Sequence, residues 1–455
     1  MEIPTTRATL IVATSSHWKS QRLLQGIMWF RIVLDEAHWI RNTTSQQFKA
    51  VRDLKAQRRW CLSGTPIQNS LDDLRSLLAF LHFEPFSEPG FFRKHIVEPL
   101  HVESLDPFRN LRLLLRTTCF RRTAELLCLP SHKIKEIAIS LTEAETNLYK
   151  GILDRCKDEF EEISYKKPSR TPTRTRFTVL LTATISLRRL CNHGTFIERQ
   201  NPSGPQIPKR QGKSAAKKKT AKVSDEPMCS YCYGDNADFN ADMDALEVCP
   251  ECLRVLDQGK VTPSTIFDTA QGSSLEFSSK LNAVVENIRS SPSSKHIVFT
   301  SWRLTLDILQ HLLAGQGVPA CRIDGRTSFA EREIILGQYT QEGGPGVLLL
   351  SIATGAVGLT LTVADRVHIV EPQWNPSVEE QAIGRALRIG QQRNVTIYKY
   401  IANGTVEENI VFLQKRKSHL AKVSFDGHAG TQEGEKLDDM LFVLQRGSAQ
   451  HRVSG

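Results

Sequence analysis

The chain has 455 residues, with 59 Lys plus Arg against 49 Asp plus Glu, a net charge of +10, 40% hydrophobic and 24% charged residues. This is ordinary globular usage with room for two or three domains, and it excludes wholesale disorder. No apolar run approaches the roughly 18–20 residues of a membrane span, the first residues lack a signal-peptide pattern, and the ten cysteines do not suggest a disulfide scaffold. The basic excess points to a polyanionic partner, most often nucleic acid.

In chain order, residues 8–14 (ATLIVAT), 30–38 (FRIVLDEAH) and 59–66 (RRWCLSGTP) are apolar β-rich runs. The last two end in polar residues, as a buried parallel strand leading into a loop does. Residues 71–81 carry apolar side chains at helical spacing, and residues 85–190 read as mostly helical, with a polar break at YKKPSRTPTRTR (165–176). Residues 202–223 are rich in Pro, Gly, Ser, Ala and Lys and read as a disordered linker. Seven of the fourteen residues from 209 to 222 are basic, which suits either a solvated charge run or a nuclear localisation signal that touches DNA phosphates.

From residue 275 the alternation resumes. KHIVFTS (295–301), CRIDG (321–325), GVLLLS (346–351), RVHIVE (366–371) and NVTIYKY (394–400) read as strands, with helical spacing at 303–313 and 330–339 between them. Such alternation predicts a parallel sheet with helices on both faces. The tail beyond residue 422 is Gly- and Ser-rich.

Several motifs carry chemistry. Asp35-Glu36-Ala37-His38 follows a buried strand, where an aspartate can hold Mg2+ and the neighbouring glutamate can polarise water. Ser63, Gly64 and Thr65 begin a second strand-end loop, SGTPIQN, which alone would be an ordinary turn. Gly355 and Gly358 lie in a third, SIATGAVGLTL, where glycine allows close backbone approach. In QAIGRALRIGQ, which begins at Gln381, Arg385 and Arg388 are three apart and are expected on one helix face. Paired guanidinium groups suit charge building on a γ-phosphate, and equally a salt-bridged helix surface. Finally, Cys229-x-x-Cys232 and Cys249-x-x-Cys252, sixteen residues apart, have the spacing of a four-thiolate zinc site. No Cys or His lies between Gly234 and Val248, so one zinc ion is expected, and the acidic intervening residues argue against DNA binding there. The remaining cysteines read as small buried hydrophobes, and His193 as structural.

Taken in order, DEAH, SGTPIQN, VFTSW, RIDGRTS, SIATGAVGLTL, EPQWNP and QAIGRALRIGQ resemble the Swi/Snf-type DNA translocases of helicase superfamily two. The likeness is nearest to the post-replication-repair-like subgroup, where a metal module interrupts the two motor lobes. The resemblance implies an α/β fold of two RecA-like parallel-sheet lobes, with helical insertions and a small zinc module between them. It implies ATP and Mg2+ between the lobes, double-stranded DNA or chromatin as partner, no membrane, and a nuclear location. Asp35, Glu36, Arg385 and Arg388 would be catalytic, and His38, Ser63, Gly64, Thr65, Gly355, Gly358 and Gln381 would couple nucleotide to DNA. Arg121-Arg122-Thr123 and LRRLCNHG (187–194) resemble that family's inter-lobe elements. The family usually has Asp for Gly384, His for Leu387, Gly for Ala356 and Asn for Thr360.

No G-x-x-x-x-G-K-[ST] occurs in the sequence, so the first lobe is expected to be incomplete, as in a fragment or a faulty gene model. The expected organisation is a partial ATP-binding lobe (1–135), a helical inter-lobe region (136–200), a basic linker (201–225), a zinc-binding module (226–257), a C-terminal lobe (275–425) and a flexible tail (426–455). The expected function is an ATP-dependent double-stranded DNA translocase in chromatin remodelling or DNA repair. The alternatives are a non-hydrolysing DNA-binding scaffold, favoured by the missing phosphate loop, and a zinc-dependent ubiquitin ligase.

Overall fold

The computed structural model describes residues 5–13, 24, 26–64, 66–67, 71–101, 106–120, 122, 127, 129–165, 173–195, 278–355, 359–415 and 444. The chain divides into two units, residues 1–122 with 414–433 and residues 123–413 with 434–455.

The first unit holds a three-stranded parallel sheet: β1 (Thr5–Ala13), β2 (Met28–Asp35) and β3 (Lys55–Cys61), with β2 central. Ile32 and Leu34 of β2 are fully buried against Phe48, Val51, Leu77 and Phe80. Ser45 begins the helix Gln46–Arg52 by accepting the Phe48 N–H at 3.1 Å, which satisfies one of the free donors of the first turn. The helix Leu71–Leu81 lies between two clusters. Its Leu77 and Phe80 face the sheet, while Leu74 and Leu78 pack on Phe92, Ile96, Phe108, Leu111, Leu114 and Leu115.

The second unit is a six-stranded parallel sheet of order β4-β9-β8-β5-β7-β6, formed by β4 (His132–Ile139), β5 (His296–Thr300), β6 (Ala320–Ile323), β7 (Val347–Ser351), β8 (Arg366–Ile369) and β9 (Val395–Ala402). Every residue of β5 and β7 is buried, as expected for strands covered on both faces. Alternate side chains divide between the layers. Val298 and Leu349 pack under the helices Ser279–Arg289 and Arg303–Gly315, whereas Ile297, Phe299, Leu348 and Leu350 pack with Tyr339, Ala382 and Ala386 of the helices Phe329–Thr340 and Pro376–Ala386. The unit is therefore a three-layer α/β/α sandwich. A further cluster joins the helices Glu143–Tyr165 and Thr173–His193 to Val406, Ile410 and Leu413.

The predicted strands and helices from residue 295 onward are all present, which establishes the expected α/β class. One strand was not expected. Residues 85–190 are mostly helical as expected, but His132–Ile139 forms β4, which pairs with β9 along its whole length. An exposed edge strand with polar alternation (HKIKEIAI) does not resemble a buried strand in sequence. The boundary drawn at residue 135 thus cuts a strand of the second sheet, and the helices drawn as an inter-lobe region over 136–200 pack within the second unit. Among the described residues no helix is long and apolar enough to cross a membrane.

Candidate functional site

Parallel strands bring all their C-terminal ends to one edge, where the loops of an open α/β sheet bind ligands. In the first unit that edge carries Asp35 at the end of β2 and Ser63-Gly64 just beyond β3. The two loops are stitched together by backbone: Leu62 N–H donates to Leu34 O at 2.8 Å, and Ala37 N–H donates to Leu62 O at 2.8 Å. Between these bonds Glu36 is forced into the left-handed region, with φ 49° and ψ 48°. A non-glycine residue there costs about 1–2 kcal/mol, a strain that clusters at functional sites. Its N–H donates to Asp35 Oδ1 at 3.0 Å, and its Oε2 lies 3.4 Å from His38 Nδ1. The Asp35 side chain is solvent-exposed and His38 stacks on Trp39 at 5.9 Å. Beneath the loop, burial pushes the Cys61 thiol up to about 12, helped by the neighbouring Cys119 and opposed by Arg59, so it is an inert packing group.

In the second unit the same edge gathers Thr300-Ser301 after β5, Asp324 after β6, Ser351-Thr354 after β7 and Glu371–Asn375 after β8. Ser351 Oγ donates to Thr354 Oγ1 at 2.6 Å, turning the chain into the short helix Ile352–Gly355. Asp324 accepts from Arg326 N–H at 2.9 Å and from Arg322 Nη2 at 2.7 Å. Burial raises its carboxyl, but these partners and Arg303 outweigh that and hold it below the usual carboxylate range. Glu371 is fully buried and accepts from Thr300 Oγ1 at 2.9 Å, Ser301 N–H at 2.5 Å and Asn192 Nδ2 at 2.8 Å. Burial pushes its carboxyl up, opposed by the Ser301 N–H, Arg188, Asn192 and Lys280.

The helix Pro376–Ala386 starts with Asn375, whose side chain accepts Ser377 N–H at 3.1 Å, and carries Gln381 and Arg385, both half-buried. Arg388 corrects the sequence reading. The helix stops at Ala386, so Arg388 lies in the following turn, exposed, and not on one helix face with Arg385. The cause is the buried Gln391, whose amide donates to Ala386 O at 3.1 Å and Ala364 O at 2.8 Å, while Leu361 N–H takes Arg385 O at 2.9 Å. The last helical carbonyls are thereby claimed from outside the helix.

Asp35, Glu36, His38, Ser63 and Gly64 thus come together in the first unit, and Gln381 and Arg385 share one helix in the second. Gly355 ends the short helix Ile352–Gly355. Thr65, Gly358, Cys229, Cys232, Cys249 and Cys252 lie outside the described residues, as do Arg121, Thr123, the basic linker and the zinc module. Among the described residues no group of three or more His, Cys, Asp and Glu could hold a metal ion. LRRLCNHG is in the core of the second unit: Leu187, Leu190 and Cys191 are buried, and His193 Nε2 bonds Thr305 Oγ1 at 2.9 Å. The sequence reading gave no role to Lys280, Glu379 or Glu407, and included Asn192 only as part of LRRLCNHG. Their only signal is a polar residue inside an otherwise apolar helical stripe.

Two domain families match the chain: an SNF2-related domain over residues 2–196 and a helicase conserved C-terminal domain over residues 279–390. The chain is 31% identical to the DNA repair protein RAD5A of Arabidopsis thaliana, over 87% of this chain and 43% of that protein. It is 30% identical to the human helicase-like transcription factor, over 90% of this chain and 44% of that one. In these matches it spans less than half the length of its curated relatives. It is also similar, at 21% identity and a TM-score of 0.41, to a Sulfolobus solfataricus SWI2/SNF2 ATPase core in complex with dsDNA, over 93% of this chain and 72% of that one.

Proposed function

The chain belongs to the Swi/Snf-type helicase family, its SNF2-related and helicase C-terminal domains together occupying more than half its length, and on that premise we propose that it is the DNA-gripping part of an ATP-dependent double-stranded DNA translocase. The observation that carries this reading is the strained Glu36, locked beside the exposed Asp35 by the two backbone bonds that tie the DEAH and SGTP loops. Backbone strain of this kind clusters at functional sites.

The exposed Asp35 carboxylate at a strand end fits a magnesium ion shared with phosphates, since Mg2+ takes only one or two protein carboxylates at such sites. ATP, when bound, supplies the phosphoanhydride bond whose hydrolysis drives movement. Asp35 would hold the ion, Glu36 would accept a proton from the attacking water, and Arg385 and Arg388 would balance charge on the γ-phosphate. His38, Ser63, Gly64, Thr65, Gly355, Gly358 and Gln381 would pass the nucleotide state to DNA. The sequence contains no phosphate-loop lysine, so the cradle for the β- and γ-phosphates is not among these residues. That observation favours a second reading, a DNA-binding scaffold that does not turn over by itself.

Phosphate release with and without duplex DNA separates the two. Little release is expected from the 455-residue chain. Robust DNA-stimulated release that Glu36→Gln abolishes would show that another part of the chain cradles the phosphates. We further assign Cys229, Cys232, Cys249 and Cys252 to one structural zinc ion on their C-x-x-C spacing, and place the protein in the nucleus on its basic run, its DNA partner being chromatin.

A further inference from the structure

Gly194 and Ser278, which stand in sequence on either side of residues 196–277, are packed together. A Cβ built on Gly194 would lie 2.8 Å from Ser278 Cα and 2.7 Å from Glu145 Oε1, and Gly194 sits at φ +58°, where only glycine is unstrained. The buried Glu145 fastens the re-entry point, accepting Ser279 N–H at 3.0 Å and Ser279 Oγ–H at 2.6 Å. Gly194, Glu145, Ser278 and Ser279 thus form one pinched junction.

The residues just inside this junction are fully buried and polar. Lys280 donates to both Glu407 oxygens, at 2.5 and 2.6 Å, and to Asn192 Oδ1 at 3.1 Å, which uses all three of its protons. Asn192 presents its other end to Glu371, donating from Nδ2 at 2.8 Å. The amide accepts from the cation through one end and donates to the carboxylate through the other. Glu371 then grips Thr300 and Ser301, and Ser301 Oγ donates to Gln373 Oε1 at 2.9 Å. Gln373 N–H donates to Glu379 Oε1 at 2.8 Å, whose second oxygen takes Lys399 Nζ at 2.6 Å. Glu379 belongs to the helix that carries Gln381 and Arg385.

We infer that Asn192 and Lys280 are positioning residues, one on each side of the 196–277 junction, which hold the Glu371–Gln373 loop and through it the seat of the Arg385 helix, so that a change at the junction is felt at that helix. The inference deepens the proposed function, because it rests on Arg385 acting at the nucleotide. A half-satisfied buried polar network is worse than an apolar core, so a disturbance at one member is costly for the others.

The test is amide hydrogen exchange on the full chain, a readout that needs no turnover. Gly194→Ala wedges the junction without touching the network, Asn192→Asp is isosteric but sets a carboxylate against Glu371, and Leu309→Ala is a control cavity in the same unit outside the network. Exchange at 371–388 should speed up on the order of tenfold or more in the first two variants relative to the control at matched overall stability, since Gly194→Ala displaces the Ser278 backbone that seats Lys280 and Asn192→Asp leaves buried polar groups mispaired. Asn192→Gln, which keeps both amide functions, should recover part of the protection. Wild-type protection at 371–388 in Gly194→Ala, or a uniform rise matching the control, would overturn the inference. Should Arg385 prove irrelevant to nucleotide, as Arg385→Ala would reveal in a nucleotide-binding assay, the exchange result would stand unchanged, so the two failures are distinguishable.

Discussion

Lys280 is the residue whose replacement should cost the second unit most. Lys280 and Glu407 are both 0% exposed, and the ammonium donates all three of its protons to protein acceptors. With charge centres a few ångströms apart and an effective dielectric of about 20, their attraction is about 5 kcal/mol. The desolvation penalty of several kcal/mol per ion largely cancels it, so the pair as a whole adds little net stability. Removing one partner is different. Lys280→Met leaves the Glu407 carboxylate buried with, among the described residues, only the Ala402 N–H, 2.9 Å away, to answer it, and strips Asn192 Oδ1 of its donor. The expected loss is about 3–5 kcal/mol, which for a unit of this size lowers the melting temperature by roughly 10 °C. Calorimetry of the full chain reads this as a shift of the second unit's transition. Adding Glu407→Gln, which keeps an acceptor for Ala402 N–H, should restore at least about 2 kcal/mol because no uncompensated charge remains. A shift below about 2 °C for Lys280→Met, or a double variant as unstable as the single one, would refute the reasoning.

Three further outcomes follow from single features. His296 Nε2 donates to Ser291 O at 3.0 Å; with both rings neutral, its Nδ1 accepts from His368 Nε2–H at 3.0 Å and His368 Nδ1 accepts from Tyr400 O–H at 2.9 Å. Burial lowers the pKa of each, so the unfolded chain binds protons first, and stability should fall as pH drops below about 6.5, by up to about 1.4 kcal/mol per histidine per pH unit; a urea midpoint unchanged between pH 7.5 and 5.5 would contradict the chain of neutral rings. At position 36, Glu36→Gly should be about 1 kcal/mol more stable than Glu36→Ala in denaturant titration, because only glycine accepts φ 49° freely, and equal stabilities would show that the strain is not real. Metal analysis should find one zinc per chain, reduced by Cys249→Ser, with chelation melting a local module and leaving the sheets folded; a zinc-free protein would sink that assignment.

The sheets were legible in the sequence where burial dictates composition. β5 and β7 are fully covered and read as continuous apolar runs, and the motif loops follow each strand end as expected. β4 was not legible, because HKIKEIAI is an exposed edge whose pairing partner lies more than 250 residues away, so only tertiary structure makes it a strand. Arg388 was misplaced because helical periodicity was carried past Ala386, where Gln391 and Leu361 take over the terminal carbonyls. The polar core was invisible for a related reason. Asn192 and Lys280 are 88 residues apart in the chain, and neither has meaning without the other.

The central claim is that this chain grips duplex DNA through its phosphates without regard to sequence, and the most direct measurement is affinity for two unrelated duplexes across a salt series. Each phosphate contact releases bound counterions and contributes a slope of about −0.9 to the logarithm of affinity against that of salt. The account predicts a slope of several units, the same for both duplexes, with affinity falling by at least about tenfold between low and physiological salt. Affinity that barely responds to salt, or that favours one short sequence strongly, would contradict it.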